Sequence, residues 1–179
     1  YYQSILNAKK FVKKRKKYIV NIVLPESVEN LELNNKKKAI STAHFNNSIH
    51  VFDLLTWIFG KVYLVNKKTI ISKNKVIGYI ALFRDQNDNF INIFSPWNSS
   101  ENYSISICSG KILYKISPLE VAKVYENFDI YITKKNTKSY VPKLIQQFSE
   151  EKSNFADGFS LQSNLFFNFC KNLKKINIP

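Results

Sequence analysis

The hydrophobic period of the chain changes at Gly60. Before it, Asn47 to Phe59 (NSIHVFDLLTWIF) places Ile49, Phe52, Leu55 and Phe59 on one helical stripe, opens with Asn and Ser capping chemistry, and stops at the glycine. After it the pattern becomes that of strands: Lys61 to Val65, Thr69 to Ser72, Val76 to Phe83, Phe90 to Phe94, Tyr103 to Cys108, Lys111 to Ile116 and Phe128 to Thr133. Ser109-Gly110 and the segment Asp85 to Asn89 are short enough to join neighbouring strands as tight turns, so the strands are expected to form an antiparallel meander.

Upstream of the switch, Ser4 to Lys17 sets Ile5, Ala8, Phe11 and Val12 at helical spacing with lysines opposite, and Tyr18 to Leu24 (YIVNIVL) reads as a strand closed by Pro25. Downstream, Val141 to Glu150 and Ser160 to Leu173 return to helical spacing. Helix, strand, helix, many strands, then helices predicts an α+β fold: a large, open, mostly antiparallel sheet with helices on one face. Apolar residues recur on both sides of the strands (Tyr79, Ile80, Leu82; Ile91, Ile93, Phe94), so the other face is expected to be used for homo-oligomerisation.

The 179 residues fit one domain, and no apolar run approaches the roughly 20 residues that cross a bilayer. A soluble, cytoplasmic protein without a membrane partner is the expectation. Cys108 and Cys170 are far apart, match no metal spacing and lie among apolar neighbours, which predicts buried free thiols. The net charge of +14 raises the question of nucleic acid. Only Arg15 and Arg84 among the 27 basic residues carry the guanidinium fork that phosphate and base-edge recognition recruits, and Lys, Asn and Ile are abundant throughout, so the charge reads as compositional drift and no nucleic-acid partner is expected.

The segment His44 to Val62 (HFNNSIHVFDLLTWIFGKV) resembles a motif of the Gfo/Idh/MocA oxidoreductases, the glucose-fructose oxidoreductase and inositol dehydrogenase family. There a run of small residues leads into Asp/Asn-x-Gly-x-His-x-x-Asp-Leu and a hydrophobic stretch ending in Phe-Gly; Asn46, His50, Asp53, Leu54, Phe59 and Gly60 fall in register. Ala8 to Val12 before the first strand, Ser117-Pro118-Leu119-Glu120, and Gly158-Phe159 entering the last helix at Gln162 are also similar to members of the family.

This resemblance implies a catalytic role for His50, beside a substrate hydroxyl whose proton leaves as hydride departs from the same carbon. An imidazole suits that transfer, while a hydrogen-bonded histidine at a helix start is the other reading. If helical geometry begins by Asn46, its amide shares a face with His50, and Asn46 and Asn47 are the substrate-binding candidates. The sequence departs from the family at three places: Asn46 stands where Asp is frequent and cannot relay a proton, Ser48 replaces Gly, and Ser41-Thr42-Ala43 occupies the usual glycine run. Asp53 is expected near the first turn of the helix, where a carboxylate meets the favourable end of the dipole. His44 reads as a loop histidine, and Trp57 as a sugar platform or a packing aromatic.

Gly60, Gly78, Gly110 and Gly158 are too scattered to form the Gly-x-Gly-x-x-Gly turn that cradles dinucleotide phosphates, and the family's Glu-Lys-Pro segment is missing. Residues 1–179 are therefore expected to form a single carboxy-terminal substrate and assembly domain, without the amino-terminal Rossmann domain. The resemblance implies NAD or NADP in the complete enzyme, none bound by this chain alone, and a sugar or nucleotide-sugar substrate of the kind used in polysaccharide biosynthesis. A non-catalytic dimerisation or assembly module is the alternative.

Overall fold

The computed structural model describes residues 2–27, 48–132, 136–149 and 159–173. Its elements in chain order are α1 (Gln3–Lys13), β1 (Ile19–Val23), α2 (Ser48–Phe59), β2 (Val62–Ser72), β3 (Lys75–Asp85), β4 (Phe90–Pro96), β5 (Ser104–Ser109), β6 (Ile112–Ile116), β7 (Val121–Ile132), β8 (Lys138–Ser149) and α3 (Phe159–Leu173). The strands form one eight-stranded sheet in the order β2-β3-β4-β1-β5-β6-β7-β8. Two meanders, β2 to β4 and β5 to β8, are joined along β1 at the centre. β1 runs parallel to β4 and antiparallel to β5, so the mostly antiparallel sheet contains one parallel pair.

Alternation along the strands decides which face is covered. Val20 and Ile22 of β1, Ile91 and Ile93 of β4, Ile105 and Ile107 of β5, and Tyr114 and Ile116 of β6 are fully buried and point at the two helices. From α1 this layer receives Ile5, Ala8, Phe11 and Val12, and from α2 it receives Val51, Leu54, Leu55, Ile58 and Phe59. Ring contacts tie the layers: Phe11 to Tyr114 at 5.2 Å, Tyr18 to Phe59 at 5.8 Å and Phe52 to Phe83 at 6.0 Å. At the start of α1 the Tyr114 hydroxyl donates to the Ser4 carbonyl at 2.7 Å, and the Ser4 hydroxyl donates to the Leu119 carbonyl.

On the opposite face, Phe90, Ile19, Cys108, Leu113 and Tyr125 are successive register partners across five strands. Phe90, Ile19 and Cys108 of that row are exposed. Cys108 is thus an exposed free thiol and Cys170 is half-buried, which corrects the expectation that both are buried. The apolar neighbours of Cys108 in sequence, Ile105 and Ile107, face the helices, and alternation turns Cys108 the other way.

Four element boundaries also differ from the sequence reading. α1 ends at Lys13, short of Lys17. The segments Lys61 to Val65 and Thr69 to Ser72 are one strand, β2, carried through Asn66 by an irregularity between Leu64 and Asn66. β7 begins at Val121, ahead of Phe128. The largest difference is β8: Val141 to Glu150 reads as a helix, but Lys138 to Ser149 is an edge strand paired with β7. Register shifts between Val124 and Phe128 break the two-residue alternation of this hairpin, so Val141, Leu144, Ile145 and Phe148 acquire a spacing that mimics a helical stripe. Pro142, opposite Phe128, is tolerated because the strand lies at the sheet edge.

Candidate functional site

α2 lies on the sheet by one face and presents the other. Val51, Leu54, Leu55, Ile58 and Phe59 are buried, whereas Ile49, His50, Asp53 and Thr56 are exposed. The spacing of His50, Asp53 and Trp57 puts them on one side of the helix, since positions three, four and seven apart share a face. His50 stands in the first turn of α2 as described, with its imidazole exposed. A base that must reach a substrate needs such access.

Asn46, Asn47 and His44 lie outside the described residues. The first turn of α2 contains no acidic residue, and Asp53 sits one turn further on, which places its carboxylate away from the N–H groups it was expected to meet. Where Asp53 acts locally is through its backbone: its carbonyl accepts a 2.8 Å hydrogen bond from the Thr56 hydroxyl. The helix ends as anticipated. Gly60 has φ of 78° and its N–H bonds the Thr56 carbonyl at 2.9 Å, a left-handed termination that glycine accepts without steric cost.

Two arrangements around the other end of α2 have no counterpart in the sequence reading. Trp57 is half-buried and carries the Lys9 ammonium of α1 at 3.8 Å from its ring centroid. Beyond it, the buried Asp85 carboxylate accepts from the Tyr18 hydroxyl at 2.5 Å, from the Asn89 side chain and backbone at 2.9 Å each, and from the Asn87 backbone at 2.8 Å. Burial opposes its ionisation, but these donors prevail and hold the carboxyl below its ordinary range. Tyr18 is shifted up, first by burial and then by its bond to that carboxylate. The run Asp85 to Asn89 reads in sequence as a turn; that a tyrosine 67 residues upstream completes it is invisible there.

Gly78 and Gly110 serve local geometry, and Gly158 lies outside the described residues. Gly110 lies in the β5–β6 turn with φ of 57°, and Gly78 crosses β4 so closely that a side chain would meet the Ser95 carbonyl. None of the three described glycines lies in a glycine-rich turn between a strand and a helix, the setting that cradles dinucleotide phosphates. No group of three His, Cys, Asp or Glu among the described residues could hold a metal ion, and no described helix is long and apolar enough to cross a membrane.

No protein-family model matches the sequence, and no curated protein matches it. Solved structures do share the fold. The chain is similar to a dehydrogenase (MviM) from Clostridium difficile, with 15% identity and a TM-score of 0.60 over 92% of this chain and 50% of that one. It is similar to D-galactose-1-dehydrogenase from Rhizobium etli, with 15% identity and a TM-score of 0.56 over 80% and 46%. A super-repressor mutant of Gal80p from Saccharomyces cerevisiae matches with 12% identity and a TM-score of 0.59 over 98% and 51%. The chain spans about half the length of the solved structures it matches. These neighbours are of the Gfo/Idh/MocA type, and this chain shares the fold of about half the length of each.

Proposed function

We propose that this chain is the substrate-binding and assembly domain of a nicotinamide-dependent oxidoreductase acting on a sugar or nucleotide sugar, with the dinucleotide held by a separate Rossmann domain. The observation that carries the reading is the placement of His50: the motif residue is exposed in the first turn of α2, on a sheet shared with solved dehydrogenases. In this reading His50 accepts the hydroxyl proton of the substrate, and the Asn46 and Asn47 amides orient the sugar by hydrogen bonds without taking part in proton transfer. Hydride acceptance is the task of NAD or NADP in the complete enzyme, and no step of it is assigned to residues of this chain.

The open sheet face is proposed as the surface through which copies associate. Its row of Phe90, Ile19, Cys108, Leu113 and Tyr125 forms a continuous apolar strip, and burying such a strip in a second subunit removes it from water. The same surface supports the alternative reading, an assembly module without chemistry.

Titration of the chain with sugars and nucleotide sugars, followed on the His50 ring signals by NMR, separates the two. The chain has two histidines, so a His44→Gln variant assigns the signals. Saturable movement of the His50 signal by one sugar class supports the substrate domain. A His50 ring indifferent to every sugar leaves the assembly module as the better account.

A further inference from the structure

A cavity of about 320 Å³ opens between α1 and strands β6, β7 and β8, and no residue of α2 lines it. The volume falls within the range of small-ligand sites, commonly some 300–1,000 Å³. Its floor is apolar: the Phe11, Tyr114 and Phe148 rings follow one another at centroid distances of 5.2 and 6.4 Å, and Ile145 extends the wall. Phe11 and Tyr114 are buried, whereas Phe148 is half-buried and Ile145 exposed, so apolar surface stays open to a ligand. Lys10, Lys14 and Arg15 supply the α1 side, and no described carboxylate lines the space.

Arg15 is the held member of this set. Its Nη1 donates to the Phe11 carbonyl at 3.0 Å and its guanidinium lies 3.4 Å above the Phe11 ring centroid, so the head is fixed against the cavity's own floor. That bond caps a carbonyl in the last turn of α1, the ordinary work of a cation at a helix end. It uses one of five N–H donors. No other hydrogen bond or ion pair joins the head to a described residue, which leaves the parallel Nε and Nη2 donors, the pair that matches two carboxylate oxygens. Burial lowers the Arg15 pKa, a sign of partly lost hydration, and charged hydrogen bonds strengthen where water is excluded. Lys10 and Lys14 are one turn apart, repel each other, and take part in no ion pair among the described residues. The carbonyl end of α1 opposes an anion by about half a charge, which three full cations outweigh.

We infer that this cavity binds a small aromatic carboxylate, of which benzoate is the simplest form. The carboxylate takes the Nε and Nη2 donors of Arg15, with Lys10 and Lys14 as further counter-charge, and the ring lies against Phe148 and Ile145. A carboxylate is favoured over a phosphate ester because one fixed guanidinium presents a single planar pair of donors, whereas the other two cations are exposed lysines that hold no position. His50 has no part in this site, and the inference stands or falls independently of the oxidoreductase reading.

The chain has two arginines, so ¹⁵N labelling gives two arginine Nε–H signals, and an Arg84→Lys variant assigns them. Arg84 is exposed and paired with Asp88 at 3.1 Å, which makes it the internal control. Benzoate is expected to move the Arg15 signal saturably and leave Arg84 in place. Acetate, which lacks the ring, should bind at least about tenfold more weakly, and benzamide, which lacks the charge, should leave Arg15 unmoved. Gln146→Glu sets a carboxylate at an exposed position of the lining and should weaken benzoate about tenfold, with the rest of the amide spectrum unchanged. Arg15→Lys keeps the charge and loses the fork; followed on the Ile145 amide, it should weaken binding by about as much. The inference is overturned if benzoate leaves Arg15 unmoved, shifts both arginines alike, or binds either variant as tightly as the parent. Acetate binding as tightly as benzoate overturns the role given to the ring, and benzamide moving Arg15 overturns the role given to the charge.

Discussion

The Tyr18 hydroxyl donates a 2.5 Å hydrogen bond to the Asp85 carboxylate, joining the start of the central strand to the end of β3 in a buried setting. This pair closes the end of the sheet under Phe59, the last residue of α2, and so helps to fix where that helix stops. Removing the carboxylate leaves the Tyr18 hydroxyl, the Asn89 amide and two backbone N–H groups without their acceptor. Asp85→Ala is expected to cost about 3 kcal/mol and Tyr18→Phe about 1 kcal/mol, measured by urea unfolding.

The same pair sets a pH dependence of stability. Asp85 is depressed in the folded chain, so its contribution is present above the ordinary value of 3.8 and is lost as pH falls through the lower folded value. Tyr18 is raised, so its contribution is present below its ordinary value of 10.0 and is lost as pH climbs above it. Urea midpoints measured against pH should therefore form a plateau between these limits, and Tyr18→Phe should flatten the alkaline limb. An unchanged alkaline limb in that variant would contradict the assignment.

Gly78→Ala is expected to destabilise the β3–β4 pairing by about 2 kcal/mol or more, because a Cβ there meets the Ser95 carbonyl and the backbone must move. Gly60→Ala strains only the left-handed end of α2, with nothing within 4 Å of the added carbon, and should cost about 1 kcal/mol. Thermal unfolding of the two variants checks the order.

Leu55 is 1% exposed between α2 and the sheet. Leu55→Ala should lose about 3 kcal/mol through transfer and cavity terms, whereas Ile19→Lys on the open face should leave the monomer's stability nearly unchanged. If copies associate through that face, Ile19→Lys also lowers the mass in solution, read by light scattering. A parent chain that is already monomeric at high concentration would count against the sheet-mediated oligomer.

The legibility of this fold in sequence follows the clarity of its periods. α2 declares itself through a stripe, a cap and Gly60, and the buried strands β4 and β5 through alternation. What the period cannot convey is partner choice: nothing in Tyr18 to Leu24 says that β1 enters the middle of the sheet beside β4, because pairing order is set by tertiary burial. β8 misleads for a related reason, since register shifts beside an exposed edge replace alternation by a false helical spacing. For the site, the motif drew attention to His50, while the Lys9–Trp57 contact stayed hidden because it joins α1 to α2.

The most direct measurement joins the chain through its N-terminus to the dinucleotide-binding half of a dehydrogenase of this fold and follows the reduced nicotinamide with sugars and nucleotide sugars as substrates. The predicted result is sugar-dependent reduction that falls about a hundredfold or more in His50→Ala, with the circular dichroism spectrum unchanged because that side chain is exposed. Turnover in His50→Ala equal to that of the parent would contradict the account.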